Sequence, residues 1–177
     1  MTVPTPHAPD EPEITTIGAA TFLSLTGHGR PGTERFYAGK SALSAAAARL
    51  GHPGPIEILY WYGPEHGDIG IARFYWTAPL DALRYRMLVR VPDDTVLPED
   101  LERDQQMSLF RMTEGTVVQI VHHGPFADED KTLARLGAFA DAHGLRRSGP
   151  HHEIHLDAFG PHTPQAGLRT ILRDPVA

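Results

Sequence analysis

The chain repeats itself. Gly27-His28-Gly29 overlies His122-His123-Gly124, Ile56-Glu57-Ile58-Leu59 overlies His152-Glu153-Ile154-His155, and Val89-Arg90-Val91-Pro92 overlies Leu172-Arg173-Asp174-Pro175, in the same order. The first and second motifs of each half enclose a helical pattern. Thr33 caps a helix to Arg49 or Leu50, with Phe36, Leu43, Ala46, Ala47 and Leu50 on one stripe and Gly51 as its stop. Asp128 to His143 repeats the device with Leu133, Leu136, Phe139 and Ala140, ending at Gly144. Runs of strand-forming residues fill the rest: Thr21–Thr26, Ile56–Tyr62 and Tyr85–Val91 in the first half, with Ala72–Trp76 as a further short strand, and Gly115–His122, His152–Phe159 and Leu168–Arg173 in the second. Pro98 to Gln106, opening with proline and acids, reads as a short linking helix. The predicted fold class is therefore α+β. Two pseudo-symmetric strand-helix-strand-strand repeats, at about 20–95 and 108–177, form antiparallel half-sheets with helices on one side and a ligand groove on the other. Residues 1–13, rich in proline and acid, are expected as a disordered tail before a single domain over 14–177.

Composition narrows the chemistry. A chain of 177 residues needs neither metal nor disulfide to fold. With no cysteine, thiolate nucleophiles, Cys-ligated zinc and iron–sulfur clusters are excluded. The 16 Lys and Arg are scattered among 22 Asp and Glu, for a net charge of −6, so no nucleic-acid partner is expected. The longest apolar run falls far short of a membrane span and no secretory leader is legible, so no membrane partner is expected and the location read is cytoplasmic. There is no P-loop, no GxGxxG after a strand and no GxSxG. His151, Glu153, His155 and Asp157 alternate onto one strand face, but same-face neighbours are ~6.5–7 Å apart and three rarely converge on one ion, so no metal is assigned.

Several segments resemble the GyrI-like small-molecule-binding family: Gly27-x-Gly29-x-Pro31, Glu57-Ile58-Leu59-Tyr60-Trp61, Met87 to Asp93, Glu114 to Phe126, His152-Glu153-Ile154, and Arg169 to Val176. The resemblance runs in order over about residues 20–177. It implies two repeats around a cleft. In transcription factors the domain is fused to a DNA-binding helix-turn-helix, whereas here only a proline-rich tail precedes it. Stand-alone members that this chain resembles are hydrolases opening the cyclopropane ring of DNA-alkylating natural products, in detoxification or self-resistance. The expected ligand is a hydrophobic aromatic small molecule and no cofactor is expected. A non-catalytic drug-sequestering protein and a protein-interaction module acting on gyrase are the alternatives.

Glu153 matches the family's ligand-facing glutamate. Strand alternation puts it opposite Ile154 and Leu156, so if those two pack on the helices, Glu153 faces the groove. Partial desolvation there is expected to push its pKa toward that of a general base for water attack. His155 shares that face where the family more often has tyrosine, and can donate, accept or shuttle a proton. A donor to the developing ring oxygenate is sought among Tyr60, Tyr62, Trp61 and His155. Trp61 and Tyr85 match family aromatic positions and offer flat stacking surfaces. His122 and Gln119 fall on opposite faces of one strand, so at most one reaches the ligand directly. Phe126 and the 63–70 loop are candidate lid elements.

Overall fold

A computed structural model describes residues 3–177. The six strands are β1 (Glu13–His28), β2 (Glu57–Trp61), β3 (Arg84–Val91), β4 (Ser108–His123), β5 (His151–His155) and β6 (Arg169–Pro175), and the helices are α1 (Glu34–Arg49), α2 (Glu99–Gln105) and α3 (Glu129–Ala142). The strands are antiparallel and close in the order β1-β3-β2-β5-β6-β4. The expected pair of half-sheets is thus one barrel. Closure comes from two seams. The long strands β1 and β4 pair over Glu13↔Gln119 to Ser24↔Ser108, and the short β2 and β5 pair over Glu57↔Ile154 to Tyr60↔His151. Every strand then has two partners and no edge is left bare.

Helices α1 and α3 lie on one face of this sheet. Thr33 accepts a hydrogen bond from the Phe36 backbone N–H at 3.2 Å, and α1 buries Phe36, Leu43, Ala46 and Ala47 against Leu23, Ile58, Met87 and Val89. Helix α3 buries Leu133, Leu136 and Ala140 against Val118, Ile120 and Leu172. Leu43 and Leu136 are fully buried, a contribution of about 2–3 kcal/mol each. The alternate residues point into the barrel, where Phe22, Leu59 and Leu88 form one apolar cluster and Val121, Ile154 and Ile171 another.

Two local expectations change. Ala72–Trp76 is no strand; Phe74–Trp76 is a single 3-10 turn. It lies over α3 because Gly137 has no side chain: a Cβ there would sit 2.9 Å from the Ala72 Cβ. Of the segment expected as a disordered tail, residues 1 and 2 lie outside the described residues, and residues 7–11 are tied down. Val121 N–H donates to the Pro9 carbonyl at 2.9 Å, Gln119 to the His7 carbonyl at 3.3 Å, and Asp10 and Glu11 pair with His123 and Arg135. Its low hydrophobicity did not reveal these partners, which lie in β4 and α3, more than a hundred residues further along the chain.

Candidate functional site

Cross-strand neighbours share a face, and this places Glu153. Ile58 pairs with Glu153, Glu153 with Leu172, and Leu172 with Ile120. Ile58 belongs to the α1 core and Leu172 and Ile120 to the α3 core, so Glu153 stands on the helix-bearing face, in the valley between the helices. The sequence expectation had this reversed. Ile154 faces the barrel interior, and the groove lies on the same side as the helices rather than opposite them.

That valley holds a cavity of about 390 Å³. Its walls are aromatic, with Phe36, Tyr37, Tyr60, Trp76, Phe126 and Phe159, and its polar side chains are Tyr75, Glu129, Glu153 and His155, with Arg30 and Gln165 also on its lining. A larger hollow of about 630 Å³ opens on another part of the surface, lined by Leu59, Trp61, Asp68, Arg86, Phe110 and Arg147. It gathers no carboxyl pair and no histidine.

Four groups surround the Glu153 carboxylate. Tyr75 donates its hydroxyl to Oε2. His151 Nε2 stands 3.6 Å from the same oxygen, and His155 Nε2 stands 3.8 Å from Oε1. The Glu129 carboxyl, on the first residue of α3, lines the same cavity beside Glu153. Behind His151, its Nδ1 faces both oxygens of the fully buried Asp174 at 3.1 Å. Burial alone would neutralise each of these groups, so their partners decide the protonation states. Burial works to lower the His151 pKa, but Asp174 and Glu153 outweigh it and raise it to about 10, so this histidine is a cation. For Glu153, burial pulls upward, and the hydrogen bonds and charge from His151 with the Tyr75 hydroxyl pull it below the usual carboxylate range. This is the reverse of the upward push expected from desolvation. Glu129 takes the upward shift instead, through burial first and then the neighbouring Glu153 charge. His155, buried between the Phe126 and Phe159 rings, is lowered to about 4 and is neutral at pH 7. Burial and the Glu153 charge also keep Tyr60 and Tyr75 protonated.

The result is two carboxyls with separated roles: Glu153 ionised and Glu129 carrying a proton. Among the described residues, Glu129 Oε1 and His155 Nε2 are buried without a hydrogen-bond partner. Unpaired buried polar atoms are costly, so polar atoms bordering a cavity and left open are suited to a ligand or water.

The structure gathers Glu153, His155, Tyr60 and Phe126 around one cavity. Tyr85 is one layer back, edge-on to Tyr60 and Phe36, with its ring in the space left by the missing side chain of Gly27. Trp61 faces the other way, beside Leu59 and Phe110, because it is one residue out of phase with Tyr60. His122 does not reach the cavity. Its Nε2 donates to the Pro125 carbonyl at 2.9 Å and its Nδ1 meets the Thr132 hydroxyl at 2.7 Å, fastening the end of β4 to α3. Gln119 is committed to Arg173 and Glu13. Of the two lid candidates, Phe126 lines the cavity, tied through its N–H to Gln165 Oε1 at 3.0 Å, while Gly67, Asp68 and Ile69 line the other hollow. Sequence reading passed over Glu129 entirely. At the start of an amphipathic helix an acid is ordinary, and only the packing of α3 against β4 and β6 brings it to the cavity beside Glu153.

No helix among the described residues is long and apolar enough to cross a membrane. None of the curated proteins matches the chain in sequence. Solved structures do. A hydrolase from Listeria innocua is 25% identical, with a TM-score of 0.69, covering 97% of this chain and 94% of its own. A conserved protein of the same organism is 28% identical at a TM-score of 0.68, covering 96% and 93%. The C-terminal domain of EcmrR shares the fold at 13% identity, with a TM-score of 0.66 and coverage of 94% and 97%. The family model for the GyrI-like small molecule binding domain matches residues 10–173, nearly the whole chain and every element that builds the cavity. The protein belongs to the GyrI-like small-molecule-binding domain family.

Proposed function

We propose that the protein is a cofactor-independent hydrolase of flat, hydrophobic, electrophilic small molecules, with Glu153 activating water. The observation that carries this reading is an ionised carboxylate on the wall of an aromatic cavity, held by Tyr75 and a cationic His151. The hydrolase likeness at 25% identity supports it. For a spirocyclopropyl dienone, of the kind met in DNA-alkylating natural products, the chemistry balances without a cofactor. Glu153 takes a proton from water, the water oxygen bonds to the ring methylene, and the strained C–C bond breaks. Its electron pair passes to the dienone oxygen, which becomes a phenolate. The Tyr60 hydroxyl, kept protonated by burial, is a donor to that oxygen; the phenolate then takes its proton from solvent as Glu153 releases its own. His155, neutral with an open Nε2, holds the attacking water beside Glu153. Such an activity would protect a cell that makes or meets these alkylators.

A second reading, sequestration without turnover, is favoured by the family's small-molecule-binding description. Mass spectrometry separates the two. Incubation of a spirocyclopropyl dienone with substoichiometric protein should give ring-opened hydrate that grows with time, and Glu153→Gln should stop it. Saturation at one ligand per chain with no product would establish the binder instead.

A further inference from the structure

Two carboxyls border the cavity on one wall, and the reaction above uses one of them. Glu129 is 4% exposed, its Oε1 has no partner among the described residues, and it lines the same cavity as Glu153. The groups facing this pair are His151 and His155 of β5, Tyr60 of β2, Tyr75 of the 3-10 turn, and Asp174 of β6 behind His151. Arg30, the one arginine on the cavity lining, is paired with Asp81 at 3.4 Å, and the cationic His151 is shared between Glu153 and Asp174, so among the described residues no cation is dedicated to Glu129. Two neighbouring buried carboxyls cannot both carry charge, so one proton is shared between them and resides on Glu129.

Position then limits what that proton can do. In the opening of a spirocyclopropyl dienone, charge arrives on the far side of the ring from the attacked carbon, away from an acid adjoining the base. In an ester or lactone the oxygen that takes up charge is bonded to the attacked carbon. We propose that Glu129 and Glu153 form an acid–base dyad suited to hydrolysing carboxylic esters and lactones of flat aromatic molecules. The proposal rests on the reading that Glu153 activates water. In the first step Glu153 takes a proton from water, the water oxygen bonds to the carbonyl carbon, and the carbonyl oxygen takes the proton of Glu129. A neutral tetrahedral intermediate results. In the second, the bond to the alkoxy oxygen breaks and that oxygen takes the proton held by Glu153. One hydroxyl of the intermediate returns its proton to Glu129 as the new carbonyl forms. The products are an acid and an alcohol, and the dyad is restored without any outside proton.

The test uses 2-naphthyl acetate alongside the spirocyclopropyl dienone, with the wild type, Glu129→Gln, Glu153→Gln and the double variant as background. Wild type is expected to release 2-naphthol above that background. Glu129→Gln, which keeps the shape but has no acidic proton to give, should lose about 100-fold or more on the ester and lose less on the dienone. No ester turnover above background, or equal losses on both substrates, would overturn the dyad. Ester turnover by a wild type that leaves the dienone intact would overturn the cyclopropane reading alone. Carbon-13 carboxyl NMR of the wild type adds a readout that does not depend on turnover. One glutamate absent from the Glu129→Gln spectrum should titrate well above the ordinary carboxylate range, and its absence would overturn the proposal.

Discussion

The molecule buries two polar clusters on opposite faces of the same strand, and they are built on different rules. Inside the barrel, His152 lies between Glu57 Oε1 at 3.0 Å and Glu114 Oε1 at 2.7 Å; Arg90 bonds both oxygens of Glu57, and Arg173 bonds Glu114 and Gln119 at 2.9 Å. Each acid there has a cation, and burial is outweighed for Glu57 and Glu114 alike. On the helix-bearing face, Glu153 and Asp174 share one cationic histidine, Glu129 stays protonated, and open polar atoms face a cavity. The inner cluster sets each acid against a cation and holds strands together; its one unbonded atom among the described residues, His152 Nε2, still faces the Glu57 carboxylate at 3.0 Å and no cavity. The outer one is left incomplete where a ligand fits, which is how a site differs from a structural network built of the same residue types.

If that contrast holds, substitutions on the two faces should separate activity from stability. The largest effect is expected from Glu153→Gln, a loss of roughly 10²–10⁴ in turnover of the dienone with the fold intact, read by product formation and circular dichroism. Glu114→Ala should do the opposite. Removing it leaves Arg173 and His152 buried without their carboxylate and should cost about 3–5 kcal/mol in urea unfolding, with the cavity unchanged.

Acid should unlock the clusters in sequence. The His155 pKa is lowered to about 4 by burial, so the unfolded chain binds its proton first, and stability should fall as pH drops from about 6.5 toward 4, on the order of 3 kcal/mol. Glu114 is held at about 2 despite burial, by His152 and Arg173, so its contribution is present above the ordinary carboxylate range and is lost as pH falls toward 2. Urea midpoints measured against pH should therefore lose the upper limb in His155→Gln and the lower limb in Glu114→Gln. The smallest effect sharpens the boundary between the faces. Phe126→Ala should weaken an aromatic ligand by about 1 kcal/mol in calorimetric titration, whereas Trp61→Ala should leave its affinity unchanged.

Much of this was legible in the chain because it is local. Thr33 and Gly51 bracket α1, the stripe Leu133, Leu136 and Ala140 marks α3, and period-two alternation puts Glu153 and His155 on one face and Tyr60 opposite Trp61. Barrel closure was not, since the β1–β4 and β2–β5 seams join residues about a hundred positions apart. The segment 72–76 has strand-like residues, yet with Ala72 seated against Gly137 it forms the short turn that delivers Tyr75.

The sequence by itself determined which residues travel together: its caps and alternation bound each helix and sort each strand into two faces, because these follow from geometry within a few residues. It did not determine which face the helices would cover. His151 to His155 is buried on both sides, so hydrophobicity gives β5 no inner or outer preference. Only the tertiary structure decided that Glu153 looks into the valley between α1 and α3. It also decided that Glu129 would meet Glu153 there, where burial and the Glu153 charge raise the Glu129 pKa while His151 and Tyr75 hold Glu153 down.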